Sequence, residues 1–294
     1  MFHFLLVLML TATEPSTEIR AGIVEMKEIK FASASEHESL TQNLFMDVAF
    51  PSVGKEELPA IIVIHGGGWE AGRRQDTGRI MNILAMGGYF VAAIDYRLTS
   101  EGGGFPNAVH DCNAAIRFLK HNADVLGVDP KNIGLVGVSA GGHLAVLSAL
   151  GSGESLIDGK INGEDESTAV ACVGTISGAV MPEKSEKRSN SPYAKWASQH
   201  GHEIELTLPS TYIDEGDPPV FLLCGSRDTL CPSRYSKVFS KKLTNANVAS
   251  DIEIVSGQDH SINKPEAYVG LLHFLDSHLG GKSELAFVEY LDKR

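Results

Sequence analysis

The chain predicts an α/β fold: a central, mostly parallel, twisted sheet of about eight strands flanked by helices. Three observations predict it. Short runs such as Ala60 to Ile64, Tyr89 to Ile94 and Ile133 to Val138 are apolar or glycine at every position, as strands buried on both faces are. Stretches with apolar residues at helical spacing alternate with those runs. Glycine, proline and aspartate punctuate the boundaries, as in Asp129-Pro130 and Gly280-Gly281.

The elements follow in order. Phe2 to Leu10 is an apolar run closed by Thr11-Ala12-Thr13, too short to span a bilayer. It has the character of a secretory signal core, yet no Lys or Arg precedes it and no A-x-A site follows. Export and a cytoplasmic location stay equally open, and residues 1–20 are set apart as this segment. No other stretch is apolar enough to cross a membrane. Residues 21–280 form one domain. Ile23 to Phe31 and Leu40 to Phe50 alternate in part and read as antiparallel strands. Ala60 to Ile64 and Tyr89 to Ile94 are buried strands. Pro106 opens a helix with Val109, Cys112, Ile116 and Leu119 on one face. Asp129-Pro130 turns into the strand ending at Val138, and a small-residue helix runs from Ala140 to Leu150.

Beyond it, Gly151 to Ser167 reads as a surface loop and Ala169 to Ile176 as a strand. Residues 181–217 read as an insertion forming a partial lid, with a short helix near Tyr193 to Ser198. Pro219 to Cys224 is a strand, Pro232 opens a helix, Ile252 to Val255 is a strand, and Pro265 opens a last helix to Leu279. Residues 281–294 are a C-terminal tail.

The 294 residues are 43% hydrophobic, enough for one large α/β domain. The formal charge is −12 and no run of Lys or Arg exceeds a pair, which argues against nucleic acid and anionic lipid as partners. The four cysteines, Cys112, Cys172, Cys224 and Cys231, make no disulfide framework, although Cys224 and Cys231 flank one loop and could bridge. No His, Asp or Glu set has metal-ligand spacing, so neither metal nor other cofactor is expected.

The chemistry lies in the loops. Gly-Val-Ser-Ala-Gly at 137–141 sits between a strand and a helix start, the context of a nucleophile elbow with Ser139 at its tip. His65-Gly66-Gly67-Gly68-Trp69 follows another strand, where flexible glycines can turn N–H groups toward a developing oxyanion. A serine hydroxyl needs a base, and the base needs an acid to orient it. Asp228 follows the strand ending at Cys224, and His260 follows the strand ending at Val255. The order Ser139, Asp228, His260 is the one this topology requires, and all three fall at the C-terminal edge of the sheet. The expected catalytic set is therefore Ser139, Asp228 and His260, with Gly66, Gly67 and Ala140 as oxyanion donors. Trp69 and His143 are candidate pocket residues; Trp69 reads equally as a core aromatic, and His143, one turn beyond Ser139, has a packed helix residue as its alternative. His65 is expected to lock the glycine loop, and Arg97 to pair with a carboxylate that braces the loops.

These strings resemble the α/β-hydrolase fold, and more narrowly the hormone-sensitive-lipase-like and acetyl-xylan/feruloyl-esterase-like carboxylesterases. The matching motifs are HGGGW at 65–69, DYRL at 95–98, GVDPKNIGLVGVSAGGHLA at 127–145, GSRDTLCP at 225–232 and GQDHS at 257–261. Two places depart from those relatives: Cys224-Gly225 stands where His-Gly is common, and Ser177 to Val180 lacks a usual acidic residue. The resemblance implies cofactor-free hydrolysis of short-chain carboxylic esters through an acyl-enzyme. The substrate would be a small-molecule or polysaccharide-linked ester, with deacetylation or deferuloylation the natural versions. The C-terminal half also resembles prolyl-oligopeptidase-type domains, so an exopeptidase is the alternative, and a catalytically silent ligand receptor on the same fold is another. Oligomeric state is not legible.

Overall fold

A computed structural model describes residues 16–20, 22–52, 57–163, 165–182 and 191–281. The apolar run at 1–13, most of the tail at 281–294 and residues 183–190 of the insertion lie outside the described residues. Among the described residues nine strands form one sheet: β1 (Thr17–Arg20), β2 (Ile23–Ala32), β3 (Leu44–Pro51), β4 (Leu58–Ile64), β5 (Phe90–Ile94), β6 (Val128–Val138), β7 (Cys172–Ile176), β8 (Val220–Gly225) and β9 (Ser250–Val255). Their order is β1-β2-β3-β5-β4-β6-β7-β8-β9. The first strands pair antiparallel through β3–β5, and every pair from β5–β4 onward is parallel.

The apolar runs become strands because both faces are covered. Every residue of β5, β7 and β8 is buried. Among the described residues the α-helices are α1 (Gly78–Met86), α2 (Asn107–His121), α3 (Ala123–Leu126), α4 (Ala140–Leu150), α5 (Ser155–Asp158), α6 (Pro192–Ser198), α7 (Ser233–Asn245) and α8 (Val269–Leu279). α2, α4 and α7 bury Val109, Ile116, Leu144, Leu147, Phe239 and Leu243 on one face. α1 and α8 bury Met81, Leu84, Leu271, Leu272 and Leu275 on the other. This is the α/β-hydrolase architecture.

Several expectations are corrected. The sheet gains β1 from residues assigned to the N-terminal segment: Thr17 to Arg20 pair with Met26 to Ile23 because β2 otherwise ends the sheet. The strand before Ser139 begins at Val128, running through the expected Asp129-Pro130 turn with a register shift against β4. Gly151 to Ser167 contains α5, whose Ile157, with Ile161 beyond it, is fully or almost fully buried. The last helix begins with a 3₁₀ turn, Pro265–Tyr268. The bridge left open between Cys224 and Cys231 is not formed, and the absence of a disulfide framework holds among the described residues: all four cysteines are buried thiols.

β5 and β6 flank β4, so the connections out of neighbouring strands diverge there and leave a crevice at their C-terminal ends. β4 delivers the glycine loop to it and β6 delivers Ser139.

Candidate active site

β6 passes into α4 through one strained residue. Ser139 has φ +53° and ψ −117°, a conformation that costs on the order of 1–3 kcal/mol for a residue with a Cβ. Hydrogen bonds on both sides hold it. Its N–H donates to Ile176 O at 3.0 Å, and its carbonyl accepts from Gly142, His143 and Ala179. The flanking glycines are required by contact: a Cβ on Gly137 would lie 2.2 Å from Gly141 O, and one on Gly141 would lie 2.3 Å from Ile64 O. The turn therefore packs directly onto the end of β4.

Asp228 and His260 come from the loops after β8 and β9, and backbone bonds join those loops. Ser226 N–H donates to Val255 O, and Arg227 N–H donates to Gln258 O at 2.8 Å. Gly225 permits the approach, since a Cβ there would meet Asp259 O at 2.1 Å. The structure brings the three predicted residues together. His260 Nε2 lies 2.9 Å from Ser139 Oγ, and His260 Nδ1 lies 2.8 Å from Asp228 Oδ2. The other carboxylate oxygen of Asp228 accepts the N–H groups of Leu230 at 2.9 Å and Cys231 at 2.8 Å. Burial pushes this carboxyl up. The hydrogen bond from His260, the two amides and the charge on His260 outweigh it and hold Asp228 below its ordinary value. Asp228 is thus an ionised acceptor, which fixes the Nδ1–H tautomer of His260 and turns a bare Nε2 toward the serine hydroxyl.

The glycine loop lies against the elbow. A Cβ on Gly66 would stand 3.2 Å from Ser139 Cβ, and Gly67 has φ +116°, open only to glycine. Among the described residues none accepts a hydrogen bond from the amides of Gly66 or Gly67, so both can donate to a ligand oxygen. Ala140 N–H, at the start of α4, joins them. His65 fastens the loop as expected: Nδ1–H donates to Gly66 O at 2.7 Å and the ring stacks on Tyr96 at 4.2 Å. Burial lowers its pKa despite the bond to Gly66. Thr99 holds the far end through two bonds to Trp69 O.

A cavity of about 560 Å³ opens over Ser139. Gly66 to Trp69, Val138, Ala140, Ala179, Pro192, Thr229, Leu230, Cys231 and His260 line it. Trp69 belongs to this wall. His143 does not, which corrects its candidacy: the ring is fully buried, and its Nε2–H donates to Thr207 O at 2.9 Å. It packs edge-on against Trp69 and Trp196, and burial pushes its pKa down to about 4. Arg97 finds its carboxylate in Asp111, a fully buried pair whose guanidinium also donates to Ser39 O and Asn107 O. Sequence reasoning missed two groups. Pro192, the first residue of α6, and Leu230, in the loop after β8, reach the cavity from positions that no periodic signal marks. Arg74 ties Asp47 of β3 to Asp95 at the end of β5, a pairing across elements that spacing does not reveal. Asp214 and Asp217 line a separate cavity beside the segments that precede β7 and β8, away from His260.

The BD-FAE family model matches residues 46–243. The carboxylesterase NlhH of Mycobacterium tuberculosis is 36% identical over 103 residues, covering 35% of this chain and 32% of that protein. The chain spans about a third to a half of the length of the first curated relatives it matches. Among solved structures, a bifunctional GH43-CE protein of Bacteroides eggerthii superposes with TM-score 0.76 at 26% identity, covering 86% of this chain and 38% of that one. A truncated carbohydrate esterase from gut microbiota superposes with TM-score 0.74 at 23% identity, covering 91% and 99%, which shows a shared fold.

Proposed function

We propose that this chain, which belongs to the BD-FAE family, hydrolyses short-chain carboxylic esters through an acyl-enzyme on Ser139. The observation that carries the reading is the unbroken line of hydrogen bonds from Ser139 Oγ through His260 to Asp228, with donor-only amides beside it. His260 Nε2 takes the hydroxyl proton as Oγ attacks the carbonyl carbon. The amides of Gly66, Gly67 and Ala140 receive the oxyanion, and each such donor is worth about 10²–10³ in turnover. The C–O bond to the alcohol then breaks as Nε2–H protonates the departing oxygen. Water attacks the acyl-enzyme, with His260 again as base, and releases the acid. Asp228 stays ionised throughout and stabilises the imidazolium.

The cavity supports small, neutral acyl groups. Apart from His260, no ionisable side chain but the Cys231 thiol lines it among the described residues. A peptide α-amine finds no carboxylate there, because both oxygens of Asp228 are already engaged. This favours esters over aminoacyl substrates. The carbohydrate esterase among the structural relatives supports an acyl group, acetyl or feruloyl, carried on a saccharide as the natural substrate.

The test is Ser139→Ala with p-nitrophenyl acetate, with circular dichroism to establish folding. Turnover falls by about 10⁶-fold, to the residual rate of the bare oxyanion site, and fluorophosphonate labelling at position 139 disappears with it. Full activity in a folded Ser139→Ala protein, or a wild type that a fluorophosphonate does not label, refutes the proposal. Acetylated xylan, methyl ferulate and an aminoacyl anilide, run side by side, separate the substrate classes.

A further inference from the structure

We propose that Leu230 is the specificity residue for the leaving alcohol, providing the apolar surface against which that group binds. The inference deepens the esterase reading and rests on it. The cavity is lined from two sets of loops. The glycine loop after β4 supplies Gly66 to Trp69. The loops after β8 and β9 supply Thr229, Leu230, Cys231 and His260, and Asp228 ties Leu230 and Cys231 to His260.

The tetrahedral carbon has four substituents, and the site dictates where three of them go. Ser139 Oγ is one. The oxyanion faces the glycine-loop amides. The departing oxygen faces His260 Nε2, because that nitrogen must hand it a proton as the C–O bond breaks. The alcohol therefore leaves along the side that holds His260, and the acyl chain takes the remaining direction. Leu230 stands on the alcohol's side.

Leu230 lines the cavity and yet is 65% exposed. Its side chain is not needed to hold the loop. The loop is fixed by backbone: the N–H groups of Leu230 and Cys231 both donate to Asp228 Oδ1, the same carboxylate that orients His260. An apolar side chain is thus held in fixed register with the proton donor while its surface stays in water. Covering that surface with an alkyl alcohol, or with the C–H face of a sugar, is favourable, and the rigid backbone means little order is lost on contact.

The experiment measures kcat/KM for wild type, Leu230→Ala and Leu230→Met on methyl, butyl and hexyl acetate, and on the ethyl esters of acetate, butyrate and hexanoate. Leu230→Ala keeps the backbone bonds to Asp228, so the triad survives. Hexyl acetate loses about tenfold more than methyl acetate does in the alanine variant, and Leu230→Met restores the ratio. The ratios within the acyl series do not move. A loss equal across the alcohols, or one that grows with the acyl chain, overturns the inference. Failure of the esterase reading is separately visible, since wild type would then turn over neither series.

Discussion

Asp228→Asn replaces one oxygen by an NH₂ group, and the surroundings dictate which one. Asp228 Oδ1 accepts two amides, from Leu230 at 2.9 Å and Cys231 at 2.8 Å. An NH₂ group placed there would set a donor against two donors in a buried site, a loss of about 1–3 kcal/mol per unsatisfied group. The asparagine carbonyl therefore takes the Oδ1 position, and its NH₂ faces His260 Nδ1, 2.8 Å from the present Oδ2. Nδ1 must then accept, so the imidazole proton moves to Nε2, which points at Ser139 Oγ across 2.9 Å. A protonated Nε2 cannot take the seryl proton. The fold is untouched while the base is blocked, and kcat falls by about 10³–10⁴, or about 4–5.5 kcal/mol of barrier. Turnover of p-nitrophenyl acetate near pH 7.5 measures it, with circular dichroism and the rate of fluorophosphonate labelling alongside. Activity within tenfold of wild type in the folded variant refutes the tautomer argument and with it the role given to Asp228.

Two further outcomes follow from the same geometry. Gly66→Ala places a methyl 3.0 Å from Val138 O and 3.2 Å from Ser139 Cβ, so the glycine loop shifts by a few tenths of an ångström and its donors leave register; kcat falls about 10²-fold with the melting temperature little changed, read by kinetics and thermal melts. Burial lowers the pKa of His143 from 6.5 to about 4, so the unfolded chain binds the extra proton between those values; the stability from keeping the ring neutral is complete above pH 6.5 and is lost as pH falls toward 4. Urea denaturation of wild type loses about 2–3 kcal/mol from this group between pH 7 and pH 4.5, and His143→Gln flattens that part of the pH dependence.

The parallel strands through β8, with Ser139 and Asp228, were legible because each of these residues comes soon after a continuous apolar run stops. His260 follows β9, a half-buried edge strand interrupted by Glu253, and was placed by chain order. Burial on both faces makes the run visible, and the loop after it holds the chemistry. Where that syntax fails, so does sequence reading. β1 has one apolar residue, Ile19, itself 63% exposed, and exists because β2 offers an unpaired edge. His143 lies one turn beyond Ser139, which suggests the pocket, but all eleven residues of α4 are buried. A helix with no polar face gives no signal of which way a side chain points, and His143 turns toward Thr207 and the two tryptophans. Arg97 and Asp111 are fourteen positions apart across a loop and a helix start, a distance at which only the folded chain chooses partners.

The site is assembled from two backbone units. In the first, the elbow, the glycine loop and the turn after β7 are one junction: Ser139 donates to Ile176 O and accepts from Ala179, while Gly66 and Gly141 allow van der Waals contact that any side chain would prevent. The strain at Ser139 is held by these contacts, and they also set the oxyanion donors relative to the nucleophile. In the second, the acid and base loops are tied to each other by Ser226 to Val255 and Arg227 to Gln258. The units join at the bond between Ser139 Oγ and His260 Nε2. Oxyanion geometry is thereby independent of the proton shuttle. Damage to either unit should lower turnover without disturbing the other, so a variant of the first unit combined with one of the second should lose close to the product of their separate effects, until the residual rate of the bare oxyanion site is reached.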